Sequence, residues 1–170
     1  SNSRQITIKN IIYADENFFN FFTFPLIQGD RNSVLLDKNS IVLSKKNTER
    51  LFGNTNALGQ IISSGGVDYV ISGIAENSPL NSHIQFEAVL PLKSLLESPD
   101  VYMGWDGGVT VATFVRLNKP QLKEVVNSKL PDFLYPKVNK KNEGTGHFSE
   151  MYLENFLDIH LKSKADWDYF

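Results

Sequence analysis

Cysteine is absent from this sequence of 170 residues, and so is any marked excess of one charge. Without cysteine, thiolate catalysis, cysteine-ligated zinc, iron–sulfur clusters and disulfides are excluded. Seventeen basic and nineteen acidic side chains leave a formal net charge of −2, which gives no general attraction to nucleic acid or to anionic membranes. No apolar run reaches the roughly 20 residues that span a bilayer.

Hydrophobic residues make up 41% of the chain and charged residues 21%. This balance is typical of a chain that folds into one domain or two small lobes. Ser1-Asn2-Ser3 resembles the remnant that a protease leaves when a tag is removed, and the end at Phe170 has no stop signal. We therefore expect residues 4–170 to be a single ectodomain excised from a longer protein, with residues 1–3 as the remnant.

The first quarter of the chain predicts a strand followed by a helix. Apolar and β-branched residues over 5–13 are typical of a strand. Asp15 suits the N-terminus of a helix that carries Phe18, Phe19 and Phe22 on one face, and Pro25 should stop it.

The next segment predicts a strand over 40–43 and a helix over 45–52. Ser44 suits the N-cap of this helix, and Gly53 can close it with a positive φ. Two strands over 60–62 and 67–71 should then form a hairpin.

Alternating apolar residues predict a strand over 84–90, followed by a short helix over 92–96. Further strands are expected over 109–117 and 151–161, and the flexible, basic connection over 137–146 is a candidate hinge.

Between these strands, apolar residues at helical spacing from Leu122 to Phe133 predict a helix that ends or kinks at Pro131. Helices and strands follow one another without strict alternation, which favours an α+β fold with a mixed sheet and short helices.

Candidates for chemistry are few and weak. His83, His147 and His160 lack the spacing of a zinc motif, and Asp158 is only a weak exception two residues before His160. We expect His83 and His160 to form hydrogen bonds at strand ends.

Ser94 and Ser128 lie in no nucleophile motif. The acidic pairs Asp15/Glu16 and Asp166/Asp168 fit solvated charges better than a tuned acid and base. Gly104, Gly107 and Gly108 predict a turn and not a phosphate loop.

Aromatic residues leave two further alternatives open. Trp105 beside Asp106 could stack on a sugar ring, although it more often covers the edge of a core. Five phenylalanines within 18–24 need more than one helix face. They either meet a second lobe, a partner or a membrane edge, or are all buried within the domain.

Eight blocks of the sequence follow one another in a recognisable order, at 15–19, 22–30, 41–44, 51–53, 57–62, 69–74, 79–86 and 156–161. Together they resemble the MacB-like periplasmic core domain of FtsX-like ABC transporter permeases. The last block is similar to the segment before the second transmembrane helix of such permeases. Ala57 stands where the family usually has proline, and residues 93–150 carry only a faint echo at 113–117.

The resemblance implies a non-enzymatic domain between transmembrane helices one and two, on the periplasmic or extracellular side of a bacterial inner membrane. It implies a βαβ-rich lobe with a second lobe inserted, and no cofactor or metal. The family-motif residues would be scaffold. They are Phe18, Phe19, Gly29, Asp30, Phe52, Gly53, Gly59, Gly73, Pro79, Asn81, Ser82 and His83.

The implied partners are the permease's transmembrane helices, a cytoplasmic ABC ATPase and a periplasmic adaptor, with no nucleic acid. The permease would be a homodimer and the isolated domain a monomer. Its task would be to transmit ATP-driven motion to the export of a peptide, lipid or drug-like substrate. The alternatives are a ligand-binding sensor ectodomain, with a closed polar pocket, and a secreted glycan-active protein that uses Trp105 and Asp106.

Overall fold

The computed structural model describes residues 7–53, 56–97, 101–102, 104–105 and 111–158. The chain divides into two compact units, Ser1–Val101 and Tyr102–Phe170. Unit 1 contains the sheet, and unit 2 contains short helices.

Six strands and three helices make up the described part of unit 1. In chain order they are β1 (Ile11–Ala14), α1 (Phe18–Phe21), β2 (Leu26–Gln28), β3 (Ser40–Ser44), α2 (Lys45–Phe52), β4 (Ile61–Ser64), β5 (Val67–Ala75), β6 (Ala88–Pro91) and α3 (Leu92–Leu96).

The strands form one mixed sheet in the order β1-β6-β3-β5-β2, and β4 also pairs with β5. β1 runs parallel to β6, and β3 runs parallel to β5. β3 is antiparallel to β6, and β5 is antiparallel to both β2 and β4. The predicted α+β class with a mixed sheet is confirmed.

The central strand β3 is buried along its whole length. Because successive side chains point to opposite faces, both faces of the sheet must be covered there. One face holds the main core, and Leu51 and Phe52 of α2 pack against it. That core consists of Ile41, Leu43, Ala57, Ile71, Ile74, Ala88 and Leu90.

The passage from β3 into α2 follows the sequence prediction. The Ser44 hydroxyl accepts a hydrogen bond from the Asn47 N–H at 3.4 Å, as an N-cap side chain does. At the other end, Gly53 has a φ of 61° and donates its N–H to the Glu49 carbonyl. The predicted helix, its cap and its closing glycine are confirmed, and so is the hairpin of β4 and β5.

The described part of unit 2 contains two short helices, α4 (Leu122–Asn127) and α5 (Leu130–Leu134). Two turns of 3-10 helix follow, over Asn139–Asn142 and Phe156–Asp158. The Asn139 side chain, which is 7% exposed, donates to the Ser149 carbonyl and accepts from the Ser149 N–H, both at 2.9 Å. These two hydrogen bonds close the loop between Asn139 and Ser149.

In unit 1, two predicted strand starts and one predicted helix cap are wrong, and one strand was missed. Within the described part of 5–13, the strand begins only at Ile11. The N-cap of α1 is Asn17 and not Asp15, and it makes no side-chain capping bond. Asp15 accepts the Phe18 N–H through its backbone carbonyl and not through its side chain. β2 was not predicted, since it has three residues directly after Pro25.

The fourth error concerns the strand over 84–90, which begins only at Ala88. Before it, the Phe86 N–H bonds to the Ser78 hydroxyl and the Glu87 N–H to the Asn10 carbonyl, outside any strand ladder.

Unit 2 departs further from the predictions. The helix expected from Leu122 to Phe133 is two helices, and Pro131 lies in the first turn of the second, where its missing N–H costs nothing. Residues 111–117 and 151–158 contain no strand, and the connection over 137–146 includes a 3-10 turn. Residues 109–110 and 159–161 of the predicted strands lie outside the described residues.

Candidate functional site

Glu87 anchors the beginning of the described chain to the centre of the sheet. Its carboxylate accepts the Lys9 N–H at 2.9 Å, and its own N–H donates to the Asn10 carbonyl at 2.7 Å. Its carbonyl accepts the Ser44 N–H at 3.0 Å, so one residue joins segment 7–10 to the junction of β3 and α2. Sequence reasoning missed this role, because Glu87 appeared only as the polar member of an alternating strand.

Helix α2 makes a second contact with the same segment. The Arg50 guanidinium donates to the Thr7 carbonyl at 2.8 Å. At the opposite end of the helix, the Asn77 side chain accepts the Lys46 N–H at 3.0 Å. Segment 7–10, α2 and the turn at Asn77 are therefore joined, and we call segment 7–10 with Glu87 and Arg50 the N-terminal anchor.

The phenylalanine-rich segment packs mainly on itself. Phe18, Phe19 and Phe24 are buried, and Phe18 and Phe24 stack with their ring centroids 5.6 Å apart. Phe86 joins them edge-on, 5.1 Å from Phe24. Phe21 and Phe22 are half-buried, so most of this aromatic surface is covered within unit 1.

A cleft of about 640 Å³ lies beside α2. Its floor includes Ile74 and Ala57, which are 6% and 1% exposed. The complete lining is Ile27, Gln28, Lys45, Thr48, Glu49, Gly53, Asn56, Ala57, Leu58 and Ile74. The cleft belongs to unit 1 alone, and its lining mixes aliphatic, amide and charged side chains.

Two motif glycines, Gly29 and Gly73, lie close together where β2 pairs with β5. A Cβ on Gly29, whose φ is 98°, would lie 2.7 Å from the Ser72 carbonyl oxygen and from Val34. A Cβ on Gly73 would lie 3.0 Å from the same valine. The neighbouring Asp30 is exposed, and its carboxylate accepts the Asn32 N–H at 3.1 Å.

The other motif residues lie apart from these glycines. Phe52 packs against the core, Gly53 ends α2, and the Gly59 N–H donates to the Ile71 carbonyl at 2.8 Å. In the turn before β6, Pro79 accepts the Ser82 N–H, Asn81 is exposed, and His83 is half-buried. The motif residues thus do not form one site, and their role as scaffold stays a prediction.

The residues considered for catalysis do not converge in the described structure. The Ser94 hydroxyl donates to the Pro91 carbonyl at 2.7 Å, and the Ser128 hydroxyl donates to the Val125 carbonyl at 2.9 Å. In the described ranges, no three histidine or acidic side chains are grouped as a metal site requires. Asp15, Glu16 and His147 are exposed. The remaining candidates, Asp106, Gly107, Gly108, His160, Asp166 and Asp168, lie outside the described residues.

Trp105 packs edge-on against Phe133, with ring centroids 5.7 Å apart, and the Lys137 ammonium lies 5.2 Å from its ring. This contact belongs to unit 2 alone. The ring is thus in contact with protein side chains, although it is 47% exposed.

Among the described residues, Tyr69, Tyr135 and Glu97 have shifted pKa values. Burial, and next the nearby Tyr13, raise the pKa of Tyr69. The hydrogen bond to Glu143 raises the pKa of Tyr135, and the hydrogen bond from Lys38 lowers the pKa of Glu97. Each shift moves the group further from neutral pH, which is opposite to the tuning that a general acid or base needs.

Comparison with known proteins identifies the family. The sequence profile of the MacB-like periplasmic core domain matches residues 1–132. The search among curated proteins gives no match. Within the described residues, no helix combines the length and hydropathy needed to cross a bilayer.

Two solved structures share the fold. One is a domain assigned to a permease of Porphyromonas gingivalis, 22% identical, with a TM-score of 0.55 over 78% of this chain and 61% of that one. The other is the periplasmic region of MacB from Actinobacillus actinomycetemcomitans, 14% identical, with a TM-score of 0.52 over 82% of this chain and 66% of that one. This chain covers less than two thirds of either structure.

The profile match extends over more than three quarters of the 170 residues. The blocks that carried the sequence resemblance lie almost entirely inside it, and the mixed sheet agrees with the related folds. The chain therefore belongs to the family of MacB-like periplasmic core domains.

Proposed function

We propose that this domain transmits ATP-driven motion within an ABC transporter permease and performs no catalysis itself. ATP hydrolysis would occur on a separate nucleotide-binding subunit or domain on the cytoplasmic side. The domain would lie between transmembrane helices one and two and would act on export of a peptide, lipid or drug-like substrate, with or without a periplasmic adaptor. No cofactor takes part, the permease is a homodimer, and the isolated domain is a monomer.

The N-terminal anchor is the observation that supports this proposal. In a permease, motion of the first transmembrane helix would reach the domain through segment 7–10. The bonds from this segment to Glu87 and Arg50 lead directly to β6 and α2. Since β6 lies between β1 and β3, a displacement of the segment would move the sheet as one body.

A pair of spin labels tests the proposal in the whole permease with its ATPase. Because the chain has no cysteine, cysteines introduced at the exposed Lys46 and Lys140 carry the labels specifically within this domain. Lys46 lies in unit 1 and Lys140 lies in unit 2. We expect the distance between the two labels to differ between the nucleotide-free and ATP-trapped states. A matched pair at Lys46 and Lys93, both in unit 1, should keep its distance. An inter-unit distance that stays the same in both states would contradict transmission.

The anchor itself is tested by the double variant Arg50→Ala/Glu87→Ala. We expect this variant to keep a folded domain but to reduce the ATP-driven change in the inter-unit distance. Lys93→Ala is the control, because Lys93 is also exposed in unit 1 and has no bond to segment 7–10 in the described structure. A double variant with the same ATP-driven distance change as the wild type would show that the N-terminal anchor does not transmit the motion.

A further inference from the structure

The cleft beside α2 has a lining suited to a small ligand, and this inference does not depend on the transmission role. Its volume of about 640 Å³ lies within the roughly 300–1,000 Å³ typical of small-molecule sites. Ile27 and Leu58 at its edge are 44% and 40% exposed, while Ile74 in its floor is buried. Aliphatic groups of a ligand would be removed from water between these three side chains.

Two opposite charges line the same cleft at helical spacing. Lys45 and Glu49 are four residues apart on α2, so their Cβ atoms are about 5–6 Å apart. Among the described residues neither has an ion-pair partner, and the order lysine before glutamate is the less favourable one for a mutual pair. A lysine in the first turn also opposes the helix dipole. Both charges are therefore available to a ligand, and Lys45 adds nothing to helix stability.

We propose that this cleft binds a zwitterionic dipeptide with aliphatic side chains. The Lys45 ammonium pairs with the peptide carboxylate, and the Glu49 carboxylate pairs with the peptide ammonium. Two extended residues span about 7 Å, which is close to the spacing of these two side chains along the helix. The Gln28 side-chain amide, which also lines the cleft, bonds to the central peptide group.

Titration of the 170-residue chain with leucyl-leucine, followed by amide NMR shifts, tests the site. We expect saturable shifts at millimolar peptide or below, centred on Leu58 and Ile74. N-acetyl-leucyl-leucine and leucyl-leucine amide each lack one charge and should bind about tenfold more weakly. Equal binding of all three peptides, or no shifts at these two residues, would overturn the proposal.

Charge variants provide the second test. Lys45→Gln and Glu49→Gln should each weaken binding of leucyl-leucine by about tenfold. Both residues are exposed, so these variants are expected to fold. Lys46→Gln is the matched control, because Lys46 lies next to Lys45 but does not line the cleft. Weakening by the control as large as that by Lys45→Gln, or none by either cleft variant, would overturn the assignment.

Discussion

The Arg31 guanidinium donates to the Phe19 carbonyl at 2.8 Å, at the C-terminal end of α1. Its second nitrogen donates to the Phe24 carbonyl at 3.3 Å, beyond the end of the helix. A cation at this end satisfies helix carbonyls that have no partner within the helix. The Arg31 side chain thus joins two backbone carbonyls of the phenylalanine-rich segment.

Replacing Arg31 by alanine should destabilise unit 1 by about 1–2 kcal/mol. This value is less than two fully buried charge-assisted bonds would give, because the side chain is partly in water. Arg31→Lys should fall between wild type and alanine, since a single ammonium cannot match the two-nitrogen fork. Urea unfolding followed by circular dichroism measures the difference. An alanine variant as stable as the wild type would show that the two bonds contribute nothing.

Gly29→Ala should be far more costly than Gly65→Ala, although both glycines have a positive φ. At Gly29 a Cβ would lie 2.7 Å from the Ser72 carbonyl, whereas at Gly65 nothing lies within 4 Å. We expect a loss of about 2–5 kcal/mol at Gly29 and about 1–2 kcal/mol at Gly65. Thermal unfolding compares the two.

The same pair tests the scaffold role of the motif residues. If Gly29 is scaffold, its substitution should unfold the domain before it alters transport. A Gly29→Ala domain that folds stably while the permease loses transport would contradict that role.

Asn139→Ala should destabilise unit 2 by about 1–3 kcal/mol, because it leaves the Ser149 N–H and carbonyl without their partner. Asn142→Ala is the control, since the hydrogen bonds from Thr145 go to the Asn142 backbone carbonyl and the described structure shows none to its side chain. Hydrogen exchange at the Ser149 amide reports the opening of the loop. Exchange that is equally fast in both variants would show that the side chain does not close it.

The stability of unit 1 should depend slightly on pH because Glu97 forms an ion pair with Lys38. The ammonium lies 3.0 Å from the carboxylate and lowers its pKa in the folded state. A carboxyl whose pKa falls on folding stabilises above its unfolded pKa and loses that contribution as pH falls through the folded pKa. Lys38→Gln should raise the Glu97 pKa, measured by NMR titration of its side-chain carbon. An unchanged pKa would mean that Lys38 does not set it.

Local signals explain why the ends of α2 were predictable, whereas strand β2 and the start of β6 were not. Ser44 and Gly53 act on the backbone next to them, so the sequence alone locates the two ends of α2. The late start of β6 depends instead on Ser78 and Asn10, which lie eight or more residues away. β2 is too short for any periodicity to be visible.

The candidate sites likewise depend on contacts between residues that are far apart in the sequence. The family blocks were recognisable in order, but the contacts that make a site join distant residues. Arg50 reaches Thr7 over 43 positions, and Lys9 reaches Glu87 over 78. No spacing rule connects such residues, and the cleft likewise combines β2, α2 and the loop at 56–58.

The most direct test of the central claim is the reading frame of the parent gene on both sides of this chain. We expect one apolar span of about 20 residues before the domain and three or more after it, the arrangement of a permease. A single flanking span would indicate a sensor ectodomain, and a signal peptide without any span would indicate a secreted binding protein. Either result would contradict the proposal that this domain works inside a transporter.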